Sequence, residues 1–503
     1  MSPESQIEEI ARLIRDGETR LARQRLDSIG AADSQNASIL DLQAELCLLE
    51  RQAGDALRAA EQAIRQGQED PDRLIRRGRA LNNLGRLDAA QRDFRAAIEL
   101  DQQSADAHAS LGHVLRRLRC NEDAESSLRR ALALRPDHLP GLGSLGMLCI
   151  ADGRSTEAVQ LFHKAVELAP ADAGLVGQLG VALHNSGALA QAADAYKKAL
   201  ELDARQVQSW LNLGITLQDL DRLEEAITAY QQASRLAPSR PAPWHRLAEA
   251  LLAAGRCEEA LQAAETAMAL DPCHPSAMST RIIAAQRLGK DVEAQRLLGL
   301  DSLVIEQPLP TPDGYPGQQH FRTALVDHVM THPTLTYEPG GHATRRGRHT
   351  RDLLQGDKGP IELLETGILR LVDRYLETVS PPPDHPFPGD VPRPHRLAMW
   401  AVVMDTEGHQ LPHIHPAAWL SGVYYVELPR TLGAGGDDVA GWIEFGLPPE
   451  ELQDTKAPPV RLLRPVEGAV YLFPSFLYHR TIPFGGDGRR ISIAFDVLRQ
   501  PLS

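Results

Sequence analysis

The sequence predicts a multidomain chain in which an all-α solenoid of paired helices is followed by an antiparallel β sandwich or barrel buttressed by helices. Three observations carry this. Small residues recur every 34 positions through the first three hundred residues. The last hundred residues break into short apolar runs split by glycine, proline or charge. At 503 residues the chain is also longer than one ordinary core organises.

The helical part, residues 1–300, is read from its ladders. Gly78, Gly112, Gly146, Gly180 and Gly214 share one phase, with Ala44 and Ala248 at its ends. A second ladder runs Ala56, Ala90, Ala124, Ala158, Ala192, Ala226, Ala260 and Ala294, and a third runs from Ala63 to Ala267. Phe94, Phe162, Tyr196 and Tyr230 keep one phase, and Pro136, Pro170, Pro238 and Pro272 close their units. Small residues belong where two antiparallel helices approach most closely, and the aromatic is expected to fill the gap to the next unit. Gly85, Gly153, Gly187 and Gly255 fall in the turn between paired helices, where a left-handed backbone suits glycine. The pattern resembles the tetratricopeptide repeat. That resemblance implies eight or nine stacked helix pairs with a concave face that docks a peptide or protein partner. His113, Arg116, Arg117, His184, Asn185, Gln218 and Asp219 are the residues expected on that face.

The period stops after Leu300. Residues 301–320, including "VIEQPLPTPDGYPG", read as a linker, and 321–503 as the β domain. Helices are expected over Phe321–Met330 and Pro360–Glu377, with the basic segment "GGHATRRGRHTRD" between them read as a mobile loop. From Arg396 the runs "LAMWAVVM", "SGVYYVEL", "GWIEF", "VRLL", "GAVYLFP" and "ISIAFDVL" read as strands.

Composition narrows the function classes. A hydrophobic fraction of 43% with 24% charged residues is that of a globular protein. A formal charge of −14 argues against nucleic acid or an anionic membrane as partner. No apolar run reaches the length of a membrane span, and the first residues lack a leader pattern, so the expected location is cytoplasmic. The five cysteines lack metal or disulfide spacing and are read as free thiols.

The chemistry lies in "LPHIHPAAWLSGVYYVE". Residues i and i+2 of an extended segment project from one face, so His413 and His415 can both point into a barrel lumen. His479 stands after "GAVYLFP" and before a short strand containing Ile482, with Arg490 beyond it. In "RISIAFDV" the residues Arg490, Ser492 and Ala494 share one face, and Ile491, Ile493 and Phe495 the other. The order H-x-H, long gap, H-x(10)-R-x-S resembles the Fe(II)/2-oxoglutarate-dependent dioxygenases, over roughly 303–497 and most strongly over 400–495. The resemblance implies a double-stranded β-helix, or jelly roll, with buttressing helices. It implies that His413 and His479 bind Fe(II), that Arg490 grips the far carboxylate of 2-oxoglutarate with Tyr425 and Ser492 beside it, and that dioxygen is the oxidant of a C–H hydroxylation. Two histidines and a carboxylate on one face of Fe(II) leave room for a bidentate 2-oxo acid and dioxygen, and a guanidinium suits a carboxylate.

One departure matters. The family's Asp or Glu is replaced by His415, and three readings stay open: His415 binds, giving a three-histidine site; water fills the position; or another acid such as Glu444 moves in. His409 and Trp400 are read as packing or rim residues, and His342, His349 and His395 as outside the chemistry. The function implied is a 2-oxoglutarate-dependent hydroxylase acting on a peptide or protein recruited by the repeats. The alternatives are an interaction scaffold with a degenerate barrel and a small-molecule hydroxylase.

Overall fold

In a computed structural model of the chain, residues 3–29, 36–67, 69–337, 343–389, 391, 393–430, 432, 439–454, 457–485 and 488–499 are described. The chain divides into two compact units, Met1–Leu220 and Asp221–Ser503.

The first unit is built of helices alone among its described residues. From Ala37 they alternate between 13 and 14 residues, as in Pro71–Asn83 and Leu87–Leu100, Ala105–Arg117 and Asn121–Leu134, and Ala173–Asn185 and Leu189–Leu202. The glycine ladder has a steric cause. A methyl group placed on Gly78 would come within 2.6 Å of the Phe94 ring, on Gly146 within 2.6 Å of Phe162, and on Gly180 within 2.6 Å of Tyr196. Each aromatic thus lies over the glycine of its own helix pair, not only in the gap to the next unit as expected. Helix starts repeat as well: Asp70, Ser104, His138 and Asp172 are spaced by 34, and each accepts a hydrogen bond from the backbone N–H three residues on. The turn glycines Gly85, Gly153 and Gly187 have φ of 75°, 76° and 82°.

The second unit begins with further helices of the same kind, Leu223–Leu236, Pro241–Ala253, Cys257–Leu270, Pro275–Arg287 and Asp291–Leu298. Ten strands follow among the described residues: β1 (Ile305–Pro308), β2 (Thr336–Tyr337), β3 (Thr344–His349), β4 (Leu397–His413), β5 (Ala418–Glu427), β6 (Ile443–Phe445), β7 (Arg461–Leu463), β8 (Ala469–Pro474), β9 (His479–Thr481) and β10 (Arg490–Leu498). They form one antiparallel sheet in the order β1-β8-β5-β10-β4-β9-β6-β7, with β3 pairing β2 and β4. The sheet curls into a jelly-roll half-barrel because β4 is long. Leu397–Met404 pair with β10, β3 pairs along Val402–Gln410, and β9 pairs with Gln410 and His413, between which β4 is bulged. Helices Gln318–Thr331 and Ile361–Thr378 buttress the sheet.

A single apolar cluster joins Met278, Ile282, Leu297 and Leu298 of the last repeat helices to Phe321, Leu364 and Tyr375 of the buttress and to Tyr424, Leu472 and Phe495 of the sheet. The repeat period ends near residue 300, whereas compactness divides the chain at Leu220.

Two sequence readings are corrected. The stretch expected as a linker contains β1, which pairs with β8 from Ile305↔Leu472 to Pro308↔Ala469. The basic segment expected as a mobile loop contains β3, which pairs with β4; its residues 340–342, including His342, lie outside the described residues. Among the described residues no helix is long and apolar enough to cross a membrane.

Candidate metal centre

The sheet register sets the site. His413, the last residue of β4, is the cross-strand partner of His479, the first residue of β9. The short strand expected to follow His479 and contain Ile482 instead begins at His479 and ends at Thr481, one residue short of Ile482. His415 follows two residues beyond β4, its backbone N–H bonded to the Ser475 carbonyl at 3.0 Å. The three imidazoles converge, with ring centroids 4.3 Å apart for His413 and His479 and 5.1 Å for either with His415. A donor atom from each lies within 4.8 Å of the others.

Each ring is held through Nδ1. His413 Nδ1 donates to the Leu411 carbonyl at 2.8 Å, His479 Nδ1 to the Leu477 carbonyl at 3.1 Å, and His415 Nδ1 to the Asp496 carboxylate at 2.7 Å. In a neutral ring a donating Nδ1 leaves the lone pair on Nε2, the nitrogen each imidazole can then offer a metal. Trp400 stacks on His415 with centroids 5.7 Å apart, packs against the cluster of Val402, Met404 and Phe484, and lines the cavity.

Burial holds His413 down to about 4, with His415 adding repulsion, and pushes His479 well below the ordinary imidazole range, with His413 and His415 contributing. Both are neutral near pH 7, the form that binds metal. The unfolded chain takes up protons below about pH 6.5 where the folded one does not, so this contribution to stability is complete above pH 6.5 and is lost as pH falls through the folded values. The unfolding free energy of the metal-free protein is expected to fall more steeply from pH 7 to 5 than that of a His479→Gln variant, by up to about 1.4 kcal/mol per pH unit for this residue. Equal slopes would show that His479 takes up protons in the fold.

Beside the imidazoles sits a cavity of about 360 Å³ whose wall includes Tyr425, Arg490 and Ser492. Tyr425 on β5 is the register partner of Ser492 on β10. Arg490 is 2% exposed. Its Nη2 donates to the Tyr425 hydroxyl at 2.9 Å and its Nη1 to the Gly441 carbonyl at 2.6 Å, while its buried Nε has no partner among the described residues. Among the described residues no carboxylate pairs with this guanidinium, so a buried cation faces the cavity with donors to spare. Burial pushes the Tyr425 phenol up, so it stays protonated.

The other histidines lie elsewhere or do other work. His395 Nε2 is 3.2 Å from Asp373, and His409 Nδ1 bonds the Glu407 carbonyl at 3.1 Å. His349 is on the cavity wall, where its Nε2 meets Thr344 Oγ1 at 2.5 Å. Glu444 faces away, ion-paired with its cross-strand partner Arg480 while Phe445 pairs with His479. Sequence reasoning missed Asp496, although it continues the Arg490, Ser492, Ala494 alternation by one step.

Family models described as "Tetratricopeptide repeat" match residues 75–138, 110–173, 144–207 and 205–272, and one described as "Putative 2OG-Fe(II) oxygenase" matches 398–496. The chain joins tetratricopeptide repeats to a C-terminal domain of this oxygenase family. The match spans β4 to β10 and so contains all three histidines, Tyr425, Arg490 and Asp496. No curated protein matches the chain. Among solved structures, YrrB, described as a TPR protein with an unusual peptide-binding site, is 24% identical over 38% of this chain and 97% of its own, with TM-score 0.32. PilF of Pseudomonas aeruginosa is 23% identical over 40% of this chain and 92% of its own, with TM-score 0.37. The Cut9–Hcn1 hetero-tetramer is 18% identical over 54% of this chain and 59% of that one, with TM-score 0.39.

In the repeat units, residues expected on the concave face bond from one pair to the next. His184 Nδ1 meets Thr216 Oγ1 at 3.0 Å, His113 Nδ1 meets Ser144 Oγ at 3.5 Å, and Arg117 donates to the Asn82 side chain at 2.6 Å. A cavity of about 340 Å³ lies there, lined by Arg79, Asn82, Asp106 and His113 among others.

Proposed function

We propose that the C-terminal domain is an Fe(II)- and 2-oxoglutarate-dependent dioxygenase that hydroxylates a peptide or protein brought to it by the repeat array. The observation that carries the reading is the convergence of three imidazoles, each with Nδ1 engaged, beside a buried guanidinium with no acid partner among the described residues. His413, His415 and His479 would hold the metal. Arg490, Tyr425 and Ser492 would hold the distal carboxylate of 2-oxoglutarate. Bound Fe(II) with 2-oxoglutarate and dioxygen supplies oxidative decarboxylation to succinate coupled to C–H hydroxylation.

The chain's own part is binding and exclusion of water. Val423, Ile443 and Phe473 make the wall around the imidazoles apolar, which strengthens the charge-assisted contact to Arg490. The polar concave residues suit an extended peptide. The thiols of Cys47, Cys120, Cys149 and Cys257 fit a reducing, cytoplasmic compartment.

His415 in place of a carboxylate favours a second reading, a scaffold whose barrel binds ligand without turnover. The full chain incubated with Fe(II) and labelled 2-oxoglutarate decides between them. Metal-dependent succinate release that rises with a peptide pool is the expected result; a bound but unconverted co-substrate under every condition would overturn the enzyme reading.

A further inference from the structure

The domain that lacks the family's carboxylate at position 415 has a carboxylate one hydrogen bond away. Asp496 lies on β10, four residues beyond Ser492 on the same inward face of the strand, and its register partner on β5 is Ser421. Its Oδ1 accepts from His415 Nδ1 at 2.7 Å and from Ser421 Oγ at 2.7 Å, and Ser421 Oγ in turn lies 3.0 Å from Ser475 Oγ. The side chains of His415 and Asp496 are each 12% exposed. His415 is fixed from three directions, by Asp496 at Nδ1, by Trp400 across its plane and by its backbone bond to the Ser475 carbonyl.

His413 and His479 are treated differently, since each gives its Nδ1 proton to a neutral backbone carbonyl two residues earlier. Only at the position where the family's anionic ligand is missing does the imidazole rest on an anion. A carboxylate hydrogen-bonded to the far nitrogen of a metal-binding histidine fixes its tautomer and raises its donor strength.

Resting on the metal-site reading above, we propose that Asp496 is a positioning residue that restores the missing negative charge through His415, so that His415 and Asp496 together stand in for the carboxylate ligand. A donor set of three neutral imidazoles would otherwise hold the cation with no anionic charge from the protein.

The test uses the full chain and Co(II) alone as probe, followed by its visible absorption bands and by titration. Asp496→Asn keeps an oxygen that accepts from Nδ1 and removes the charge. It is expected to weaken Co(II) binding about 10- to 100-fold and to shift the Co(II) bands, with an unchanged far-ultraviolet circular dichroism spectrum. Asp496→Ala should weaken binding at least as much. Unchanged affinity and bands in Asp496→Asn would overturn the proposal. So would a His415→Ala variant that binds Co(II) as tightly as the parent while Asp496→Asn does not, since that would make Asp496 itself the ligand. If instead His479→Ala leaves Co(II) binding intact, it is the metal-site reading that fails, a result distinct from either.

Discussion

Arg490→Ala is expected to raise the 2-oxoglutarate concentration for half-maximal succinate release by at least about 100-fold, because removing one partner of a buried ion pair costs about 3–5 kcal/mol. The guanidinium is anchored from behind by the Tyr425 hydroxyl and the Gly441 carbonyl, and neither carries a charge that would compete with an incoming carboxylate. Its remaining N–H groups are what a dicarboxylic acid would meet. Arg490→Lys keeps the charge but loses the planar fork and is expected to fall between the two. Stability should behave differently from binding. A buried cation with no acid partner among the described residues is costly, so the alanine variant should lose little melting temperature while the rise in melting temperature produced by 2-oxoglutarate disappears. Half-saturation and thermal shift identical to the parent would remove Arg490 from the co-substrate site.

How much of this was legible in the sequence depended on how local the governing contacts are. The repeat array was legible because each helix pair repeats the same close approach. Gly78 under Phe94 and Gly146 under Phe162 leave no room for a methyl group, so packing writes its period into the sequence. β1 was not legible, because it has four residues, ends in Pro308 and lies at the sheet edge, where a missing N–H is tolerated. β3 was hidden by its bulge. Its register shifts between Arg345 and Gly347, which breaks the two-residue alternation and makes "TRRGRH" look like a basic loop. At the site, residue types and spacing singled out His413, His415, His479 and Arg490, which the structure brings to one cavity. The pairing of His413 with His479 is a property of sheet register across a gap of more than sixty residues, and no local pattern encodes it. Glu444 shows the same limit from the other side. As an acid near the site it was a reasonable ligand, yet β6 turns it outward and places Ile443 and Phe445 inward.

His479→Ala is expected to weaken Fe(II) or Co(II) binding by more than the roughly 10- to 100-fold seen for the outer partners of metal-binding histidines, and to abolish succinate release. His479 is 6% exposed and sits directly across the ladder from His413. Its ring is packed against Phe473 at 4.6 Å and near Phe445 at 6.2 Å. Truncation opens a cavity against those rings, and the metal-free fold should lose about 1–3 kcal/mol, within the range for large-to-small changes in a core. That loss is too small to unfold a domain whose apolar cluster reaches from the buttress helices to β10. Metal content after dialysis, read together with the melting temperature with and without Co(II), separates the two effects: the parent should gain stability with metal and the variant should not. His395→Ala is the matched control, because His395 is held by Asp373 and lies outside the cavity. If His479→Ala retains one tightly bound ion per chain, the ion is held elsewhere, and the convergence of the three imidazoles would be packing alone.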